Sequence, residues 1–238
     1  MKLEQYLKLA SGIMFVILFL IAIYLNQKEH KVKKDDGKFD LTKYIARVGI
    51  FGAISTILYT IPFLKFAIPG FPSFLEVHFD EIPAFIAGFA YGPLTGFGVI
   101  VLKTLIKLPI SNTVMVGELS DLVFSTAFIL PATIIYKKNR KIQGALIGLG
   151  VGFVVQVLVA TILNVYVSIP FYVEFYGIPL DVLLKAYKDN PISDIKWAYA
   201  LIAVVPFNLI KNAIVVVITM LIYKPLRKLI EKAKQTRL

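Results

Sequence analysis

Long apolar blocks with short polar interruptions dominate the chain. The first block, residues 9–25, follows Lys2 and Lys8 and precedes Asn26-Gln27-Lys28. No small-residue cleavage site follows it, so it reads as an uncleaved anchor helix and not a signal peptide. Residues 26–40 are rich in Lys and Asp and cannot bury themselves. Further apolar runs cover about Tyr44–Phe63, Ile82–Tyr91, Leu94–Leu108, Glu118–Tyr136, Ile142–Ile169 and Trp197–Tyr223. Most are near the roughly 20 residues that a helix needs to cross a bilayer. The run at 82–91 is short and stops at Gly92-Pro93, where a helix should break or re-enter. Pro69, Gly70 and Pro72 place a loop over residues 64–80. Pro109–Gly117 is a second loop, and residues 170–196 form a third that carries Phe171, Tyr172, Phe175, Tyr176 and Tyr187. The pattern predicts an all-α membrane protein with a six-helix core and one extra N-terminal transmembrane helix. Residues 1–40 are the anchor and linker, and 41–238 the membrane domain.

The final apolar run contains an anomaly, Pro206-Phe207-Asn208-Leu209-Ile210-Lys211-Asn212. A lysine at mid-membrane costs about 2.5–3.5 kcal/mol on insertion scales. Asn208, Lys211 and Asn212 are spaced three and four apart, so a helix puts them on one face, which should look into protein or a wet cavity. Pro206 removes a backbone donor and is expected to loosen the helix there. The patch is either a polar ligand site, interhelical glue, or a lysine that snorkels to the surface.

Composition agrees with a membrane bundle: 58% of the residues are hydrophobic and 17% charged, against about a quarter charged in soluble domains. The net charge of +11 reflects orientation and needs no nucleic acid. With residues 26–43 inside, the basic stretches 26–43, 137–141 and 224–237 all fall on one side, as the positive-inside rule requires. The C-terminus is then cytoplasmic, and the loops at 64–80, 109–117 and 170–196 face outward.

The chain lacks several kinds of chemistry. It has no cysteine, hence no thiol nucleophile, and no phosphate-binding glycine loop that ends in Lys-Ser or Lys-Thr. The two histidines, His30 and His78, cannot form a His-Glu-x-x-His zinc site. His78, Asp80 and Glu81 have the residue types of a metal or proton site, but their position predicts a solvated outer loop. Glu118 and Asp121 stand at a helix start, where capping and interface roles suit carboxylates. Lys103 lies deep in its span, and pairing with Glu118 or Asp121 is its structural explanation. Snorkelling suffices for Lys107. No catalytic set, metal site or cofactor is assigned.

A small-molecule pocket remains, built between the last two spans in their outer halves. Asn164 lies near the outer end of one span, and Asn208 and Lys211 lie on the next. Amides offer donor and acceptor together and suit a heterocycle edge with alternating N–H and C=O. Phe66, Phe71 and Phe74, from the loop at 64–80, are placed to cover a flat ring.

These segments resemble a known family, the riboflavin-specific substrate-binding (S) components of energy-coupling factor (ECF) vitamin transporters. The likeness spans about residues 41–230. It rests on Phe79-Asp80-Glu81-Ile82-Pro83-Ala84, Gly88-Phe89-Ala90-Tyr91-Gly92-Pro93-Leu94-Thr95-Gly96, Lys103-Thr104-Leu105, Val116-Gly117-Glu118-Leu119, Leu130-Pro131-Ala132, Leu163-Asn164-Val165-Tyr166 and Pro206–Asn212. The anchor at 9–25 is extra to the family pattern. The resemblance implies a cell-membrane protein that binds riboflavin, its transported ligand, from the outer side. It implies partnership with a transmembrane (T) component and two cytoplasmic ATPases. Asn164, Asn208 and Lys211 are then flavin-ring contacts, and the loop with Leu64, Phe66, Phe74 and Leu75 is the gate. Gly49 and Ala53 become candidates for the T-component face. The alternatives are an S component for another vitamin or heterocycle, a membrane enzyme using Glu118, Asp121 and Lys103, and a structural subunit in which Lys211 pairs with a carboxylate.

Overall fold

The structure, a computed structural model, describes residues 40–72, 75–111, 113 and 115–235. The anchor expected at 9–25 and Phe74 of the expected gate lie outside the described residues. Asp40 caps the first helix, α1 (Leu41–Thr60), by accepting from the backbone N–H of Lys43 at 3.1 Å. Gly52 and Ser55 of α1 are buried against the rest of the chain. Ile45, Ile50, Ile54 and Ile57 point outward, as side chains do that meet lipid instead of water. Ala53 is exposed as well, and a methyl group added at Gly49 would meet open space.

The loop expected at 64–80 has structure of its own. A helical turn (Pro62–Leu64) leads into an antiparallel pair, β1 (Phe66–Ala67) and β2 (Glu76–Val77), with Phe66 opposite Val77 and Ala67 opposite Glu76. Lys65 and Glu76 close it with an ion pair at 2.5 Å. Fully buried Val77 anchors the second strand.

Helix α2 (Glu81–Tyr91) has 11 residues, and eight of them are buried. At 1.5 Å per residue it covers about half the hydrocarbon thickness, so it belongs to the interior of the bundle. It stops at Gly92, whose φ of 108° and ψ of 165° lie in a region essentially reserved for glycine. Pro93 then opens α3 (Pro93–Lys107), because its missing N–H costs nothing at a helix start. The Gly-Pro pair is therefore a hairpin corner.

Helices α4 (Val116–Lys138) and α5 (Ile142–Leu163) form the closest-packed pair. A methyl group added at Gly148 would come within 2.5 Å of the Ala132 carbonyl oxygen, and one at Gly152 within 2.2 Å of that of Phe128. The glycine stripe of α5 lets the two backbones touch.

The helix begun as α5 does not stop at Ile169 as the sequence pattern predicts. It widens into a π turn (Asn164–Ser168) and continues as α6 (Ile169–Tyr176). After α7 (Leu180–Leu183) and α8 (Ile195–Tyr199), a second π turn (Ala200–Val204) leads into α9 (Val205–Gln235). Each π turn ends two residues before a proline, Pro170 and Pro206. Proline has no N–H and crowds the carbonyl four residues back, and one extra residue per turn relieves both problems. The expected loosening at Pro206 is realised as this widened turn.

Among the described residues, five helical stretches can cross a membrane by length and composition: Leu41–Thr60, Pro93–Ile110, Val116–Lys138, Ile142–Tyr176 and Ile195–Tyr223. The chain is a multi-pass membrane protein. Its interior is layered. One apolar core, with Phe85, Phe89, Phe128, Tyr136 and Tyr223, lies toward the basic turns. A second, with Ala160, Ile169, Tyr199, Ala203 and Val204, lies toward the hairpin and takes in Phe71 and Leu75. Along α5 the order is Leu149, Gln156, Ala160, and along the second π turn and α9 it is Val204, Asn208, Lys211, Val215. A polar layer therefore separates the two apolar ones.

Candidate functional site

The polar layer is built from side chains that α2, α3, α4, α5, α9 and the residues just after β2 turn inward. Lys103 of α3 is completely buried. Its ammonium group donates to Asp80, to Asp121 at 2.8 Å and to Ser125 at 3.3 Å, and it lies 4.8 Å from the centre of the Tyr59 ring. The expected pairing of Lys103 with Asp121 is present, with Asp80 as an additional partner. Glu118 ties down the loop before α4, accepting from the Ser111 hydroxyl at 2.5 Å and from that of Thr113 at 2.6 Å.

The expectation of a solvated outer loop at His78–Glu81 is overturned. Asp80 is 0% exposed and Glu81 2%. The backbone carbonyl of Asp80 accepts from the Ser55 hydroxyl of α1 at 2.7 Å. Three carboxylates and two ammonium groups buried side by side stabilise one another where none would be tolerated alone.

Lys211 of α9 is 4% exposed. It donates to Glu81 Oε1 at 2.8 Å and to His78 Nε2 at 3.3 Å. An ammonium group can only donate, so Nε2 accepts. Nδ1 then carries the imidazole proton and donates it to Asp80. Burial, reinforced by the Lys211 charge, holds the His78 pKa down to about 4, in keeping with a neutral ring. Donor atoms of His78, Asp80 and Glu81 lie within 4.8 Å of one another, a spacing that suits a cation. Lys103 and Lys211 already place positive charge on those carboxylates.

On its other flank α9 presents amides to α5. Gln156 Nε2 donates to Asn208 Oδ1 at 2.8 Å, and Asn212 Nδ2 donates to Gln156 Oε1 at 2.6 Å. Asn208 Nδ2 donates to the Val204 carbonyl at 2.8 Å. Asn164 opens the first π turn, and its Nδ2 donates to the Ala160 carbonyl at 2.8 Å within its own helix. Gln156 is a polar residue in an otherwise apolar span. Its spacing, opposite two amides one turn apart, was the available signal.

Above this layer, toward the hairpin, Phe71 packs on Phe207 with ring centres 5.8 Å apart. Leu75 joins the neighbouring apolar core, Leu64 is half-buried, and Phe66 is 47% exposed with its ring 6.2 Å from that of Phe79. Of the expected site residues, Asn208 and Lys211 share the buried face of α9. Leu75 packs against the apolar cluster that includes Ala203 and Val204.

Comparison with known proteins agrees with this architecture. Riboflavin transporter FmnP of Bacillus subtilis is 28% identical over 198 residues, which are 82% of this chain and 98% of that protein. Riboflavin transporter RibU of Staphylococcus aureus is 28% identical over 179 residues, covering 75% of this chain and 89% of its own. A solved structure described as the S component of a bacterial ECF transporter superposes with a TM-score of 0.62 at 27% identity, over 80% of this chain and 98% of that one. The family description "ECF transporter, substrate-specific component" matches residues 43–223, most of the chain. The protein belongs to the family of substrate-specific components of ECF transporters.

Proposed function

We propose that this protein binds riboflavin from the outer side of the cell membrane and delivers it for uptake as the specificity subunit of an ATP-driven ECF transporter. The observation that carries this reading is the buried face of α9. Asn208 and Lys211 stand there beneath an aromatic-capped apolar layer, and the π turn that opens with Asn164 lies on the preceding span. A pocket with apolar walls and a few convergent polar groups has the general form of a small-molecule site. The relatives named riboflavin transporters match nearly their whole length.

In this reading Asn164, Asn208 and Lys211 meet the pyrimidine edge of the flavin ring, and the hairpin with Leu64, Phe66 and Leu75, together with Phe74, is the gate. The protein itself carries out no catalysis. A T component and two cytoplasmic ATPases supply the energy. α2 counts as the sixth core segment, the helix at 9–25 is an added anchor, and the C-terminus is cytoplasmic.

The test is to purify the protein in detergent and titrate it with riboflavin. Quenching of flavin fluorescence, or a yellow co-purified ligand, is the expected result. Binding of another vitamin in place of riboflavin would overturn the substrate and keep the class. The Lys211–Glu81 pair favours a second reading, in which Lys211 only holds the bundle together. On that reading Lys211→Met lowers stability and leaves ligand binding intact.

A further inference from the structure

The amide bonds around Asn208 run in one direction, and a backbone group sets that direction. The Val204 carbonyl can only accept, so the atom of Asn208 that meets it is Nδ2. The oxygen of Asn208 therefore faces Gln156. Gln156 must meet it with Nε2, which leaves Oε1 for the amide nitrogen of Asn212. The chain ends at Asn212 Oδ1, which is buried and without a hydrogen-bond partner. Flipping any one amide would set two donors or two acceptors against each other, a costly fault in a buried place. Gln156 is itself 2% exposed, so water cannot mediate the exchange cheaply.

After these bonds, Asn208 has an N–H left on its nitrogen side, while its oxygen is turned to α5. We propose that Gln156 is a positioning residue that fixes Asn208 as a hydrogen-bond donor toward the ligand and so sets the protein's preference for a ring carbonyl over a ring amino group. The inference rests on the riboflavin reading above. The flavin edge offers acceptor, donor, acceptor (C=O, N–H, C=O). Lys211 can only donate, and Asn164, which gives one N–H to Ala160, keeps an oxygen that can accept. The three residues together offer donors and an acceptor of matching kinds.

The experiment uses full-length protein in detergent and two ligands: riboflavin, and an analogue in which one carbonyl of the pyrimidine ring is replaced by an amino group. Wild type is expected to prefer riboflavin. Gln156→Leu removes the bond that holds the Asn208 oxygen, and the preference is expected to shrink roughly tenfold, the scale of one lost hydrogen bond. Gln156→Glu adds a readout that a packing role would not move. When protonated, its O–H donates to Asn208 and its carbonyl accepts from Asn212, which restores the wild-type pattern. When ionised, it accepts from both and forces Asn208 to turn. Its preference for riboflavin should therefore fall as pH rises, relative to wild type at each pH. Lys211 on α9 itself and its partners Glu81 and His78, the charged and titratable groups near Asn208, are common to both proteins.

A readout without ligand is the side-chain amide signal of Asn208 in NMR, expected to be protected from exchange in wild type and exposed in Gln156→Leu. Unchanged preference in both variants, or an unprotected Asn208 amide in wild type, overturns the proposal. Failure of wild type to bind riboflavin overturns the functional reading instead, and the amide signal still decides the role of Gln156.

Discussion

Helix α9 has two polar flanks, and they are built on different physics. On the Lys211 flank the partners are the Glu81 carboxylate and the neutral His78 ring and, through them, the charged Asp80, Asp121 and Lys103. On the Asn208 flank the partners are neutral amides and backbone carbonyls. Ionic attraction is strong in a buried setting but weakly directional, so a charge tolerates a shifted partner. An amide chain is weaker per bond, but each member dictates the orientation of the next. The ionic flank joins α2, α3, α4 and α9, with α1 attached through Ser55. The amide flank joins only α5 and α9. With the proposed function, the difference assigns bundle cohesion mainly to one side and ligand polarity mainly to the other.

The largest expected break in this division is Lys103→Met. It leaves Asp80 and Asp121 buried without their shared cation, and breaking a buried pair costs about 3–5 kcal/mol. Thermal unfolding in detergent should show a large drop in midpoint. An unchanged midpoint would remove the case for cohesion through charge.

On the proposed function Lys211 belongs to both sides of this division, and a pair of variants separates them. Lys211→Met should lower stability, because Glu81 is left alone, and should also abolish tight riboflavin binding. Adding Glu81→Leu removes the orphaned carboxylate and should restore much of the stability, with a coupling of about 1–3 kcal/mol. Binding should remain lost in the double variant. If it returns with stability, Lys211 serves cohesion alone. On the opposite flank, Asn208→Leu should have the reverse profile: a smaller loss of stability, but riboflavin binding weakened roughly tenfold or more. Equal profiles for the two flanks would erase the distinction.

The spans were legible in the sequence because lipid imposes long apolar runs, and the Gly92-Pro93 corner was legible because few residues fit it. The buried face of α9 was legible from the cost of Lys211 in an apolar run. His78–Glu81 was not, because its carboxylates look solvated until the partners on α3, α4 and α9 are known, and those lie 23 to 133 residues away. The π turns were hidden for a related reason. The span before Pro170 reads locally as ending at Ile169, and Pro206 reads as a loosening inside its helix, and neither says that the turn before it widens to a π turn. Gln156 was visible as a residue but not as a hinge of orientation, since nothing in a one-dimensional pattern says which amide end meets a carbonyl.

The smallest effect concerns His78, which sits at the junction with Lys211, and its sign is fixed. The folded-state pKa is about 4, below the value of about 6.5 for an unfolded histidine. Between these values the unfolded chain binds more protons than the folded one, so stability falls as pH falls. The contribution is complete above about pH 6.5 and is lost progressively toward pH 4. Over the narrow range from pH 7.5 to 6 this amounts to only about 1 kcal/mol or less. His78→Gln keeps a donor toward Asp80 and cannot titrate, so its unfolding midpoint should be flatter than that of wild type across this range. Because Nε2 accepts from Lys211, protonating the ring sets two cationic donors face to face, so riboflavin affinity should weaken along with stability. Asn208 lies on the other flank, and its amide signal should stay put over the same range. If that signal moves in step with His78, the two flanks of α9 are coupled and the division between them fails.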